Sequence, residues 1–239
     1  MHIKMPVFDS EFHFIKTTSG LAGYWYNNVK ANYKLPFTAR LNKAGAKNRF
    51  DVSQNNNYSM YNGEWETTFS QGREGEHKAI AVFNQEEQYV TGTFITQTGD
   101  YRFLQGNISN DSILISCFDG SHAFLFEGRL FDGIINGQFY SGSHWSEPWA
   151  SSKNELFSLA NPYSLTNQMK EEKLEFTFPG LDGKNVSYPN RRYDDKVVII
   201  QVLGSWCPNC VDETKFFTVL HIQYQHRGLE IIGLAFEAP

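Results

Sequence analysis

Val197-Val198-Ile199-Ile200-Gln201-Val202-Leu203-Gly204-Ser205-Trp206-Cys207-Pro208-Asn209-Cys210 is the stretch on which the reading of the fold turns. Val197 to Leu203 is almost wholly apolar and rich in β-branched side chains, the composition of a strand covered on both faces. Gly204 and Ser205 interrupt it. Beyond them Val211, Phe216, Phe217, Val219, Leu220 and Tyr224 fall at helical rather than strand spacing, which predicts a helix ending near Arg227. After Gly228, Leu229 to Phe236 reads as a second buried strand of parallel type. Strand, helix, strand is a βαβ unit, expected to cross over right-handedly.

The C-x-x-C in that unit has a chemical reason to exist. Two cysteines on either side of the first helical turn can close a small disulfide, and the exposed N–H groups and dipole of a helix start favour a thiolate. Cys207, at the helix start, is the candidate nucleophile, and Cys210, one turn in and more buried, the candidate resolving thiol. Pro208 stands where a helix has no N–H to lose, and its ring presets φ. Trp206 offers an apolar platform beside the sulfur, or ordinary packing. Glu213 lies one turn beyond Cys210 on the same face, either as a solvated carboxylate complementing the helix dipole or as a group acting at the thiol. Cys207, Cys210, His221 and His226 also have a spacing close to that of a zinc finger. A finger places its cysteines on a hairpin before the helix, whereas here both histidines fall far along the cysteines' own helix, so the redox reading is preferred.

Gly204 to Cys210, preceded by a strand and followed by a helix, resembles the thioredoxin-like superfamily, and within it the TlpA-like thiol–disulfide oxidoreductases of the bacterial envelope. Phe178-Pro179-Gly180-Leu181-Asp182-Gly183-Lys184-Asn185-Val186-Ser187 is similar to that family's approach hairpin. The resemblance runs from Leu174 to the end of the chain. It implies dithiol–disulfide exchange with protein disulfides, no bound cofactor or metal, electrons from a membrane-embedded donor, and a periplasmic or cell-envelope location. It implies Cys207 and Cys210 as the catalytic pair, Glu213 as an acid concerned with proton handling at the buried thiol, and Trp206 and Pro208 on the substrate side. In that family the residue at Pro208 also influences the reduction potential. Measured against the family, the chain stops at Pro239 before the remaining helices, the antiparallel hairpin and the cis-proline loop, so an incomplete domain is expected, poorly stable by itself. Two other readings stand beside this one. A peroxiredoxin-like peroxidase would carry its reactive cysteine in a T-x-x-C context. A binding protein would use its β region to recognise a ligand or partner, with a non-functional redox part.

Composition narrows the field. The chain of 239 residues is 41% hydrophobic and 15% aromatic, as suits a packed globular protein. Its net charge of −5 leaves no basic footprint for nucleic acid, and no apolar run has the length needed to cross a bilayer. Met1 to Pro6 does not form a signal peptide. Cys117, the third cysteine, sits in Ser112 to Phe118 and reads as a small core residue of a strand.

From Leu21 to Gly142 short apolar runs alternate with Gly, Asn and Asp. Strands are expected at Tyr24 to Tyr26, Glu64 to Phe69, Ala79 to Phe83, Tyr89 to Ile95, Tyr101 to Leu104, Ile113 to Phe118, Ala123 to Leu130 and Ile134 to Tyr140. Turn signals stand at Thr98 to Asp100, Asn107 to Asp111, Asp119-Gly120 and Asp132-Gly133. Such spacing predicts an antiparallel meander, closed as a barrel or curved as a sandwich. Ser143 to Trp149 is read as the end of this region; His77, His122 and His144 are dispersed through it without a catalytic constellation, and His122 and His144 are read as loop histidines. The expected organisation is therefore two domains: an all-β antiparallel domain at 1–165, a linker at 166–173, and a partial α/β thioredoxin-like domain at 174–239.

Overall fold

The computed structural model describes residues 1–5, 8–41, 48–50, 57–165 and 173–236. All but the last residue of the expected linker at 166–173 therefore lie outside the described residues. The chain divides into two compact units, Met1–Pro162 and Tyr163–Pro239. Among the described residues no helix is long and apolar enough to cross a membrane.

The first unit holds two sheets. β1 (His2–Met5), β2 (Ser10–Thr17), β3 (Gly20–Asn27) and β4 (Lys34–Ala39) form a four-stranded antiparallel meander in chain order. β5 (Gly63–Phe69), β6 (His77–Glu86), β7 (Tyr89–Thr96), the two-residue β8 (Gly99–Asp100), β9 (Leu104–Ser109), β10 (Ser112–Phe118), β11 (Ala123–Phe131), β12 (Ile134–Ser141) and β13 (Trp145–Lys153) form the second. Its order is β6-β5-β13-β12-β11-β10-β9-β7-β8, and β7 pairs back onto β6, closing an antiparallel barrel of eight strands.

Alternation decides which side chains enter the barrel. Along β6 every second residue, Ala79, Ala81 and Phe83, is buried. Asp132-Gly133 makes a two-residue hairpin between Phe131 and Ile134, with φ of 50° and 77°, the left-handed backbone that a tight turn demands. β13 begins at Trp145, inside the Ser143 to Trp149 stretch where the sequence reading ends the β region, and runs on to Lys153. It closes the ring by pairing with β12 on one side and β5 on the other. β9 begins at Leu104 rather than Tyr101 and runs through Asn107, so the turn shrinks to Asn110-Asp111.

The interior is filled with aromatic rings. Phe126 stacks on Phe94 at 4.4 Å and on Phe139 at 4.5 Å, with Phe69, Phe83 and Trp149 around them, all buried. Trp149 fits against two glycines that face each other across β11 and β12, Gly128 and Gly137. A Cβ at Gly137 would lie 2.4 Å from Trp149 Cε2, and one at Gly128 2.8 Å from Cζ2. At one end Tyr61 is fully buried. Its hydroxyl donates to Asp111 O at 2.6 Å and accepts from Leu130 N at 3.2 Å, while its carbonyl accepts from Trp65 Nε1 at 2.7 Å. Burial, first of all, raises the Tyr61 phenol well above its ordinary pKa.

The second unit begins in the single turn α1 (Pro162–Leu165). It contains the hairpin β14 (Phe176–Pro179) and β15 (Asn185–Tyr188), then β16 (Val197–Leu203), the 17-residue α2 (Pro208–Tyr224) and β17 (Leu229–Ala235). β16 and β17 pair in parallel, in a sheet of two strands only. The partial α/β thioredoxin-like fold expected of 174–239 is not formed. The described residues are 54% strand and 13% helix, dominated by the barrel, and among them only α2 exceeds a single turn. The reading of β16 as a strand covered on both faces fails with it. Its one buried side chain is the polar Gln201, and Val197 and Val202 are exposed. Two strands and one long helix do not supply the second layer that buries a parallel sheet on both sides.

The glycine slot yields the first prediction. Gly137→Ala forces its methyl into the Trp149 indole and the Glu127 carbonyl, an overpacking expected to cost about 2–3 kcal/mol. Urea unfolding of the variant should show a lower midpoint at unchanged slope, and an unchanged midpoint would refute the slot's role.

Candidate functional site

The C-x-x-C is built by the end of β16. Gly204 O accepts from Cys207 N at 3.0 Å, turning the chain directly into α2. Gly204 has room for no side chain, because a Cβ there would stand 2.5 Å from the Trp206 indole. Trp206 is 45% exposed, and its Nε1 donates to Phe236 O at 3.1 Å, tying the turn to the end of β17. Trp206 is thus a partly exposed ring held at one edge.

Cys207 is the N-cap of α2. Its backbone is extended (φ −96°, ψ 109°) and its Sγ accepts from Cys210 N at 3.3 Å, the position that a capping serine or aspartate oxygen takes elsewhere. Cys207 O then accepts from Val211 N at 3.1 Å. Pro208 holds the first helical position and is buried, so what the protein draws from it is the fixed φ rather than an exposed contact. Cys207 and Cys210 are both half-buried and both free thiols.

The electrostatics run against a freely ionised Cys207. Its thiol is raised above the ordinary value, first by burial and then by its hydrogen bond with the Cys210 thiol. The N–H groups of Cys210 and Asn209 pull in the opposite direction, as a helix start should, and are outweighed. The stabilised thiolate expected from helix position alone is thus offset by desolvation and by the second sulfur.

Behind the cysteines is a polar knot that the sequence reading does not single out. Gln201, 6% exposed, donates through Nε2 to Glu213 Oε2 at 2.9 Å and lies 3.5 Å from Cys210 O. Thr214 Oγ1 donates to Cys210 O at 2.7 Å and stands 3.2 Å from Gln201 Oε1. Glu213 is therefore held against β16 by Gln201. The signal was a lone amide inside the apolar run Val197 to Leu203, since a buried amide needs partners across the strand–helix junction.

The zinc-finger set is not brought together. Among the described residues, the one group of three or more His, Cys, Asp or Glu donors within 4.8 Å of one another is His2, Glu11 and His13, in the first unit. His221 closes the last turn of α2, and His226 lies in the 3-10 turn after it. Of the other histidines, His122 Nδ1 is 3.2 Å from Asp119 Oδ2, while His144 lies 3.2 Å from both Tyr33 OH and Lys30 Nζ. These contacts hold loops. Cys117 is buried in β10 against the barrel core, its thiol pushed up to about 12, chiefly by burial.

The chain matches no protein-family model, no curated protein and no solved structure.

The raised Cys207 thiol has a kinetic signature. A thiol with a raised pKa is protonated at neutral pH, so only a small thiolate fraction reacts there. Alkylation of Cys207 by iodoacetamide, followed by peptide mass mapping, should keep accelerating as pH passes the ordinary thiol value of 9.0. Cys117 in the folded protein should stay unmodified throughout. A Cys207 rate already at its plateau near neutral pH would contradict the burial argument.

Proposed function

We propose that the protein is a thiol–disulfide oxidoreductase acting through Cys207 and Cys210. The observation that carries this reading is the cap geometry. Two reduced, half-buried cysteines stand one helical turn apart, with Cys207 Sγ taking the N–H of Cys210 at 3.3 Å. In the proposed reaction the Cys207 thiolate attacks one sulfur of a partner disulfide and the other sulfur leaves as a thiolate, which takes a proton. The Cys210 thiolate then attacks the mixed disulfide at Cys207, closing the Cys207–Cys210 disulfide and releasing the second partner thiol. Two electrons pass from the chain to the partner. In this reading Trp206, half-exposed in the turn before Cys207, would meet an extended partner segment, and Glu213, held by Gln201, would serve as the acid for proton transfer at Cys210.

The W-C-P-x-C resemblance to TlpA-like oxidoreductases supports the same chemistry. It also suggests protein disulfides as substrates, a membrane-embedded donor to re-reduce the pair, and a place in the cell envelope. The competing reading, a binding function for the β unit, finds no cup in the barrel interior, which stacked rings occupy.

Reduction of insulin disulfides by the full chain, with dithiothreitol as the electron source, tests the proposal. Wild type should accelerate precipitation of the insulin B chain, Cys207→Ser should fall to the uncatalysed rate, and Cys210→Ser should accumulate a mixed disulfide with insulin. Equal rates for wild type and Cys207→Ser would overturn it.

A further inference from the structure

We propose that His2, Glu11 and His13 form a binding site for zinc(II) on the exposed face of the four-stranded sheet. The site is independent of the cysteines and of the reaction proposed for them.

The backbone places the three residues together. His2 of β1 pairs directly with His13 of β2, and Glu11, two residues before His13, projects from the same face of β2. Both imidazoles aim the same nitrogen at one carboxylate. His2 Nε2 lies 3.2 Å from Glu11 Oε2, and His13 Nε2 lies 3.0 Å from Glu11 Oε1. The donor atoms all fall within 4.8 Å of one another.

These spacings suit a metal. Zinc bonds of about 2.0–2.2 Å at tetrahedral angles set neighbouring donors about 3.3 Å apart. The two nitrogen–carboxylate separations, 3.2 and 3.0 Å, lie close to that value. The remaining one closes by small χ rotations of the half-exposed imidazoles. Two neutral imidazoles and one carboxylate are a borderline-soft set that zinc takes readily, with a position left over for water or another ligand. Coordination through Nε2 leaves each Nδ1 for an outer partner. The rings already restrain each other, with centroids 5.2 Å apart edge to face, and the His13 ring lies 4.8 Å from Tyr26.

Ion pairing alone is a weak reason for the arrangement. Exposed pairs contribute little, and these two carry charge on histidine only when it is protonated. The three residues also line an open trough of about 1050 Å³, walled by Phe14, Tyr24 and Phe37, so a bound ion would keep access to solvent. Lys4 stands opposite Glu11 in the strand register and lines the same trough, and its charge opposes a dication there. An affinity in the micromolar range is therefore expected rather than the much tighter binding of structural zinc sites.

The test is titration of the full chain with Zn²⁺ in a Cys207→Ser, Cys210→Ser background, so that thiolates supply no ligands. Calorimetry should report one equivalent, and the ring-proton NMR signals of His2 and His13 should shift while those of His77, His122, His144, His221 and His226 stay in place. His13→Ala and Glu11→Gln should each weaken binding by at least about tenfold, the loss seen even when only an outer-shell partner is removed. These are surface changes, and circular dichroism of each variant confirms the fold. Absence of saturable binding below about 1 mM, undiminished binding by His13→Ala, or ring shifts confined to the other histidines would each overturn the assignment.

Discussion

Closure of the barrel through β13 is the constraint on which the first unit depends. A β-sheet of that size left open would end in two rows of unpaired N–H and C=O groups. Here β13 is hydrogen-bonded on both sides and β7 returns to β6, so the ring has no free edge. Closure in turn dictates the interior. Eight strands leave room for side chains and little else, and Phe69, Phe94, Phe126, Phe139 and Trp149 take that room. Trp149 is carried by the closing strand itself, and its indole reaches the core only because Gly128 and Gly137 leave the facing strands bare. The smaller sheet attaches to this barrel through aromatic and polar contacts. Trp25 meets Phe118 edge to face at 5.2 Å, and Asn27 Nδ2 donates to Ser121 O at 3.3 Å.

The second unit follows a different logic. Among the described residues it has no comparable core: α2 buries only Pro208, and Phe216, Val219 and Ile222 are exposed along it. The junction between β16 and α2 is polar, made by Gln201, Glu213, Thr214 and the Cys210 carbonyl. A hydrogen-bonded amide at such a junction fixes the rotation of the helix over the strand, because any slip leaves a buried donor without an acceptor. That rotation decides where the two sulfurs sit.

How much of this could be read from the residues depended on whether the signal was local. Asp132-Gly133 announces its hairpin because left-handed backbone at two successive positions has few sequence solutions. The helix position of Cys207 and Cys210 follows from the spacing of apolar residues after Gly204. β13 was not legible: Pro148 and the buried Glu147 interrupt its pattern, and each is accommodated only by tertiary partners. Glu147 Oε2, for instance, accepts from Ser70 Oγ at 2.8 Å. β1 and β2 were missed because their outward residues are charged or imidazole and their burial pattern is weak. The cluster of His2, Glu11 and His13 is visible only once the register of those strands is known. β16 departs in the opposite sense: its apolar run predicts a strand covered on both faces, yet Val197 and Val202 are exposed. Periodicity reports what a segment is able to bury and is silent on whether anything arrives to cover it.

The raised Cys207 thiol bears on the direction of the proposed exchange. A dithiol becomes a strong oxidant when its reduced form is stabilised, most often by a thiolate held well below its ordinary pKa. At Cys207 the helix start provides that pull through the N–H groups of Cys210 and Asn209, but burial and the Cys210 thiol overcome it. The reduced pair thus gains no stabilisation from ionisation at neutral pH. The raised pKa also makes Cys207 a poorer leaving group from a mixed disulfide and, once ionised, a stronger nucleophile. In the proposed exchange both consequences favour electron flow out of the chain. The balance rests on three atoms: Cys207 Sγ, the Cys210 amide that caps it, and the Cys210 sulfur that competes for the same charge.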